Sequence, residues 1–430
     1  VSSSDEGYEE TAGPTSLGRP LALDGVKVRF QLLFFIYFIA SSGFVVFRNV
    51  YLEEMGLSGS QMGQIGFLLM ATGVVAQPAW GLLTDYFRAE RTVLIFVGIA
   101  SAVAILSYPV GDGLTEPFLL IAVGSAAYSA FQTPVGPIAT GMVLSRGFDY
   151  GSVRAFGSLA FAIGSLGFGF VVGTLSIVSI VYFYVAGTAL MIGIAWSLPG
   201  GRSADEGDDV AGDDENETNE PRLLEATRML VTSPTFLVIV GASFLLRLSA
   251  MGGEAFFSVY MRNVDASIAA GPWTLRPDGM TGVAWVINSG VEAVAFLYAL
   301  KANVSHRWLL VGGGVALVIP NLAYGVTTRP WVLLAVQSLG GIGFAMVTVA
   351  TVDLAYDIAA DRVTSTAQTL LTGFGFGLGG AVGQIVAGTL YDAVGIMDMY
   401  VGIAVLGFAG AALGLVVSSD GRSGKNQPTG

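Results

Sequence analysis

Twelve stretches of about 20 residues run almost free of charge along this chain, each long enough to cross a bilayer as a helix. Hydrocarbon offers the backbone no hydrogen-bond partners, so a spanning segment must satisfy its own N–H and C=O groups by coiling. The pattern predicts an all-α membrane protein with spans over 30–52, 61–84, 92–110, 117–144, 152–175, 178–198, 235–260, 281–303, 307–326, 331–357, 364–390 and 396–417. A chain that is 53% hydrophobic and 12% charged does not read as a soluble domain. One long acidic stretch divides six spans from six, and two such halves point to a transporter.

The domain reading follows. An acidic tail over 1–28 precedes a six-helix bundle over 29–198. An acidic linker over 199–233 leads to a second six-helix bundle over 234–418 and a short tail over 419–430. Residues 1–28 carry no cationic segment ahead of a short apolar core, so the first span is expected to act as its own insertion signal. Of the 20 Lys and Arg residues, Arg48 and Arg247 fall within spans and only Arg262, Arg276 and Arg329 fall on one side. The rest fall on the other side, which the positive-inside rule makes cytoplasmic. Both termini are then cytoplasmic, in a multi-pass, monomeric protein of the cell membrane.

Acids outnumber bases 32 to 20, a net charge of −12 concentrated in the tail and linker. An acidic surface stays solvated when salt screens ordinary repulsion, so a halophilic, high-salt cytoplasm fits; disordered acidic tails are the plainer alternative. Neither suits a nucleic-acid partner. With no cysteine, disulfide and thiol chemistry are excluded. The single histidine, His306, reads as a loop residue, which argues against a histidine metal site. No phosphate-cradling G-x-x-x-x-G-K-[ST] loop is present, so ATP-driven transport by this chain is not expected, nor is any cofactor. No nucleophile–base set suggests an enzyme.

A faint echo links the halves. Gly164, Gly173, Thr174 and Leu175 in the fifth span match Gly379, Gly388, Thr389 and Leu390 in the eleventh at one constant offset. Glycines so spaced let helices approach closely in lipid.

The loop after the second span reads Gly81-Leu82-Leu83-Thr84-Asp85-Tyr86-Phe87-Arg88-Ala89-Glu90-Arg91. It resembles the cytoplasmic loop signature of the major facilitator superfamily, although Tyr86 and Arg88 stand where that signature usually has a basic residue and a glycine. Physically, Gly81 permits close helix approach, and Asp85 can sit at a facing helix N-terminus or pair with an arginine such as Arg88 or Arg91. Such a contact would latch the halves on one face. The opening of the fifth span, Asp149-Tyr150-Gly151-Ser152-Val153-Arg154-Ala155-Phe156-Gly157-Ser158, is similar to the phenylpropionate-permease branch and more distantly to lactose permease. The stretch 364–395 resembles the eleventh-span region of the same group. The resemblance implies a two-bundle, alternating-access symporter that carries a solute with a proton.

Carried over residue by residue, the resemblance makes Arg154 and Phe161 solute-binding. The acid expected on the fourth span is missing, with Gln132-Thr133-Pro134 in its place, and the proton-relay pair of the tenth span is replaced by Gly340 and Gly343. An arginine without that acid favours a carboxylate-bearing solute. Organic or aromatic acids, sugars and nucleosides are the candidates in that order, with a proton or sodium ion as co-substrate. An exporter of amphipathic compounds and a non-transporting receptor are the alternatives.

Charges within the spans are costly, so Arg48, Arg247, Glu254 and Glu292 are expected to face a cavity or one another. Arg247 and Glu254 share a helix face, and antiparallel packing brings Glu292 to a depth near Arg247. The expectation is a charge cluster in which Glu292 or Glu254 accepts the coupling proton, Glu292 also matching an acid of the phenylpropionate permease. Gln132, Asn288 and Gln384 are uncharged polar groups at membrane depth that can bind solute or neighbouring helices. Asp353 and Asp357, near the end of the tenth span, read as a cytoplasmic gate or a solvated cap.

Overall fold

The computed structural model describes residues 21–198, 228, 232–299, 304–358 and 370–417. Among these residues twelve helices are long and apolar enough to cross a membrane. The first six run over Gly25–Glu54, Gly59–Phe87, Glu90–Gly111, Phe118–Leu144, Tyr150–Thr174 and Ser179–Ser197. The second six run over Pro234–Asn263, Pro277–Tyr298, His306–Val326, Pro330–Leu354, Thr372–Val394 and Ile396–Gly414. They form two six-helix halves. Side chains such as Val75, Leu119 and Leu190 stand exposed around the outside, as a lipid-facing surface requires.

Local departures from straight helix have identifiable causes. The fourth span is two helices, Phe118–Gln132 and Val135–Leu144, broken at Pro134. Pro137 has no N–H, so the Thr133 carbonyl loses its helical partner, and Gln77 Nε2 donates to it at 3.5 Å. The glycine-rich run Thr372–Leu378 winds as a π-helix. A two-stranded hairpin, Ile268–Ala270 against Trp273–Leu275, joins the seventh and eighth spans and was not expected. His306 begins the ninth span instead of lying in a loop.

The arginine-rich ends of the spans define a basic face; the hairpin lies at the opposite face. The distribution of apolar core between these faces decides the shape. Toward the opposite face one cluster unites both halves, running from Phe47 and Ile65 through Phe168 to Phe256, Tyr260 and Tyr400. Toward the basic face the core forks. One cluster holds Phe30, Val97, Met142 and Val153 of the first half, and a separate one holds Phe236, Leu246, Leu310 and Leu354 of the second. Burial of shared apolar surface closes the opposite face, while the two halves part toward the basic one.

Polar contacts follow the same division. Arg262 Nε and Nη2 grip Asp278 at 2.7 and 3.1 Å, and Nη1 reaches Glu54 of the other half. Glu53 accepts from Tyr391 at 2.7 Å and from Asn263 at 3.1 Å. Spans five and eight meet closely because Gly282 has no side chain. A Cβ there would lie 2.7 Å from the Ser165 carbonyl oxygen and 2.9 Å from the Leu166 Cα.

Candidate functional site

At the fork, polar side chains of both halves converge. Arg48 of the first span donates from Nε to Asn49 Oδ1 at 3.0 Å and from Nη2 to Gln384 Oε1 at 3.1 Å. Asn49 in turn donates to the Ala255 carbonyl at 2.8 Å. Spans one, seven and eleven are thus tied together at one depth. Beside this knot a cavity of about 280 Å³ is lined by Arg48, Gln77, Tyr128, Gln132 and Thr133 among others. Gln132 Nε2 donates to the Tyr37 hydroxyl at 2.6 Å, which fixes the amide against the first span.

The second half contributes a smaller pocket of about 40 Å³, bounded by Glu254, Trp285, Asn288, Asn321, Tyr324 and Gln337 among others. Asn288 Nδ2 donates to both the carbonyl and the side-chain oxygen of Gln337 at 3.3 Å. Asn321 Nδ2 is held by Ser249, at 2.9 Å from its carbonyl and 3.0 Å from its hydroxyl. Trp285 also meets Phe161 of the first half edge-on, with ring centroids 5.9 Å apart. Phe161 therefore sits at the seam between the halves.

The expected charge cluster takes a looser form. Arg247 is completely buried, donates to Thr348 Oγ1 at 2.7 Å and lies over the Phe344 ring at 4.3 Å. These contacts tie it to the tenth span, while Glu254 and Glu292 act on it through electrostatics. Glu292 also lies within the field of Arg154 from the opposing half. Arg154 itself is seated over Phe38 at 4.3 Å and donates to Ser158 Oγ at 3.2 Å.

The gate residues occupy the basic face. Gly81 has nothing within 4 Å of where a Cβ would lie, so it mediates no close helix approach in this conformation. Asp85 and Arg88 are exposed. Arg88 has a left-handed backbone, φ 47°, where the superfamily signature has glycine, so the turn keeps a glycine's geometry without glycine. Arg91 donates to the Leu198 carbonyl at 3.0 Å and caps the end of the sixth span. Asp353 lies 3.4 Å from His306 within its own half, and the side chain of Asp357 lies outside those described.

Sequence reasoning missed Trp285, Gln337, Gln77 and Tyr128 as parts of the lining, and Tyr37 as the partner of Gln132. Gln77 and Gln337 carry the same signal as Asn288, an amide at membrane depth, and were findable by it. The aromatic residues were not, because apolar helices hold many rings and only packing shows which face the cavity.

A family model described as "MFS_1 like family" matches residues 27–401. An uncharacterized transporter of Bacillus subtilis (strain 168), YwbF, is 24% identical over 388 residues, covering 88% of this chain and 90% of its own. The maltose permease of Geobacillus stearothermophilus is 24% identical over 410 residues, covering 92% and 96%. Among solved structures, the nucleoside transporter NupG superposes with a TM-score of 0.72 at 15% identity, over 91% of this chain and 98% of that one. At that identity the likeness concerns the fold.

Proposed function

The chain belongs to the MFS_1 like family of major facilitator transporters, and from that premise we propose that it carries a hydroxyl-rich organic solute together with a proton. The observation that carries this reading is the lining of the fork. Amides (Gln77, Gln132, Gln384, Asn288, Gln337) gather there with aromatic rings around Arg48, whose guanidinium is held by Asn49 and Gln384. Amides both donate and accept, so they match hydroxyls, and ring faces cover the apolar side of a sugar or base. Two similar proteins, a maltose permease and a nucleoside transporter, agree with that class. An organic acid is less well served, because Arg154 is already engaged by Phe38 and Ser158.

The mechanism is alternating access. The basic face is cytoplasmic by the positive-inside rule, so this conformation opens to the cytoplasm. Solute binding at the fork draws the halves together on that side and releases the opposite seam. Glu254, in the small pocket of the second half, or Glu292, which lies in the field of Arg247 and Arg154, accepts the coupling proton. Gly81, Asp85 and Arg88 close the cytoplasmic side when it is sealed.

Uptake into proteoliposomes tests this. A panel of radiolabelled sugars, nucleosides and organic acids is presented under an imposed pH or sodium gradient. Accumulation of a sugar or nucleoside driven by the pH gradient supports the reading. Accumulation confined to acids, or driven by sodium alone, removes it.

A further inference from the structure

The second and eleventh spans run antiparallel against each other, and each ends with the same short pattern. Span two closes with Gly81-Leu82-Leu83-Thr84-Asp85 at the basic face; span eleven closes with Gly388-Thr389-Leu390-Tyr391-Asp392 at the opposite face. Both are G-x-L-x-D. Only one of the two is engaged. Asp392 Oδ1 accepts from the Gly59 N–H at 2.6 Å and Oδ2 from the Ser60 N–H at 2.7 Å, so a carboxylate of one half caps a helix of the other.

The cap completes an otherwise unfinished helix start. Ser58 and Gln61 form a capping box that satisfies the Gln61 and Ser58 N–H groups. The Gly59 and Ser60 N–H groups have no intrahelical acceptor, as the first donors of any helix lack one. Asp392 takes both, with charge-assisted hydrogen bonds aided by the positive end of the helix dipole. At the other end of the pair, Asp85 is exposed and has no side-chain partner among the described residues. The glycines differ in the same sense. A Cβ on Gly388 would strike the Gly59 backbone, while Gly81 has open space around it.

We propose that Asp392 is a second gating residue: a latch on the opposite face that holds it shut through the N-terminus of span two and releases when that face opens. It is the counterpart of Asp85, with the two carboxylates engaged in turn at the two ends of one helix pair. This inference rests on the alternating-access reading. Opening the opposite face separates Asp392 from Gly59 and Ser60 and exposes those N–H groups to water, so the latch weights the equilibrium toward the conformation open at the basic face.

The chain has no cysteine, so reporter cysteines can be introduced without removing any. Spin labels at Thr115 and Thr328 report the separation of the halves at the opposite face; labels at Ser145 and Ser305 report it at the basic face. Pulsed dipolar spectroscopy then gives the population of each conformation in lipid. Asp392→Asn keeps the shape but replaces an acceptor oxygen with a donor, and should shift the ratio toward the opposite-face-open state by about tenfold or more, the scale set by a lost charged hydrogen bond. Ser60→Pro removes one of the two donated N–H groups at a helical position that tolerates proline, and should shift the ratio in the same direction without altering Asp392. Asp392→Glu should restore part of the effect. If the wild type shows both populations and neither Asp392→Asn nor Ser60→Pro moves them, the latch is overturned alone. If the wild type and all variants show a single rigid separation at both faces, alternating access and the latch fall together.

Discussion

Arg48 of the first half and Gln384 of the second are joined by a hydrogen bond of 3.1 Å at the depth where the shared core divides into two. The bond crosses the boundary that must shear during transport, and its donor lines the cavity on the basic side. A solute that takes over either partner changes how strongly the halves are tied.

Gln384→Ala tests that coupling. A hydrogen bond to a charged group is worth about 1.5–3 kcal/mol in proteins. The variant should raise the half-saturation concentration for the solute identified by the uptake panel about tenfold or more while leaving expression and folding intact. Arg48→Lys should do the same, because an ammonium cannot serve Asn49 and Gln384 in the fork geometry of a guanidinium. Concentration series of initial uptake rate decide it; unchanged half-saturation in both variants would remove Arg48 and Gln384 from the solute site.

Glu254→Gln and Glu292→Gln separate the proton from the solute. Each replacement keeps volume and hydrogen-bonding capacity but cannot cycle a proton. Whichever residue carries the coupling proton should lose accumulation driven by a pH gradient, down to equilibration, and retain exchange of labelled for unlabelled solute. Full accumulation in both variants would place coupling elsewhere.

Arg88→Gly should stabilise the protein. A non-glycine residue at φ 47° carries a left-handed backbone cost of about 1–2 kcal/mol, which glycine avoids. Thermal unfolding in detergent should show a gain of about 1 kcal/mol, less the entropy glycine gives back in the unfolded chain. Arg88→Val should show a loss.

Asp149 supplies a pH signature. Its carboxylate accepts from the Ser152 N–H at 2.9 Å and the Gly151 N–H at 3.2 Å at the start of span five, which holds it below the ordinary carboxylate range. A carboxyl more acidic in the folded state contributes stability above its unfolded pKa and loses it as pH falls through the lower folded value. Stability measured from about pH 5 down to pH 2 should therefore decline less steeply in Asp149→Asn than in the wild type, since asparagine caps without titrating. Parallel declines would assign the acid sensitivity to other groups.

The legible part of the candidate site was its cost. Arg48, Glu254, Glu292, Asn288, Gln132 and Gln384 stood out because polar groups at membrane depth are expensive, and all of them line or adjoin the fork or its charged surroundings. What each touches was not legible. Arg247, read as part of a charge cluster, feels both Glu254 and Glu292 and is seated by Thr348 and Phe344 of the tenth span, which is remote in sequence. Nor was the neighbour of Asp353, read as a gate or a solvated cap: it lies 3.4 Å from His306 of its own half.

The twelve spans and the two-half order followed from sequence alone, since a backbone in hydrocarbon has to close its own hydrogen bonds and apolar length reports where it does so. Which face is sealed did not. Apolar periodicity is the same for a helix facing lipid, its own bundle or the other half. Only the tertiary packing merged the core on one face and divided it on the other, and set Asp392, but not Asp85, against the helix start it caps.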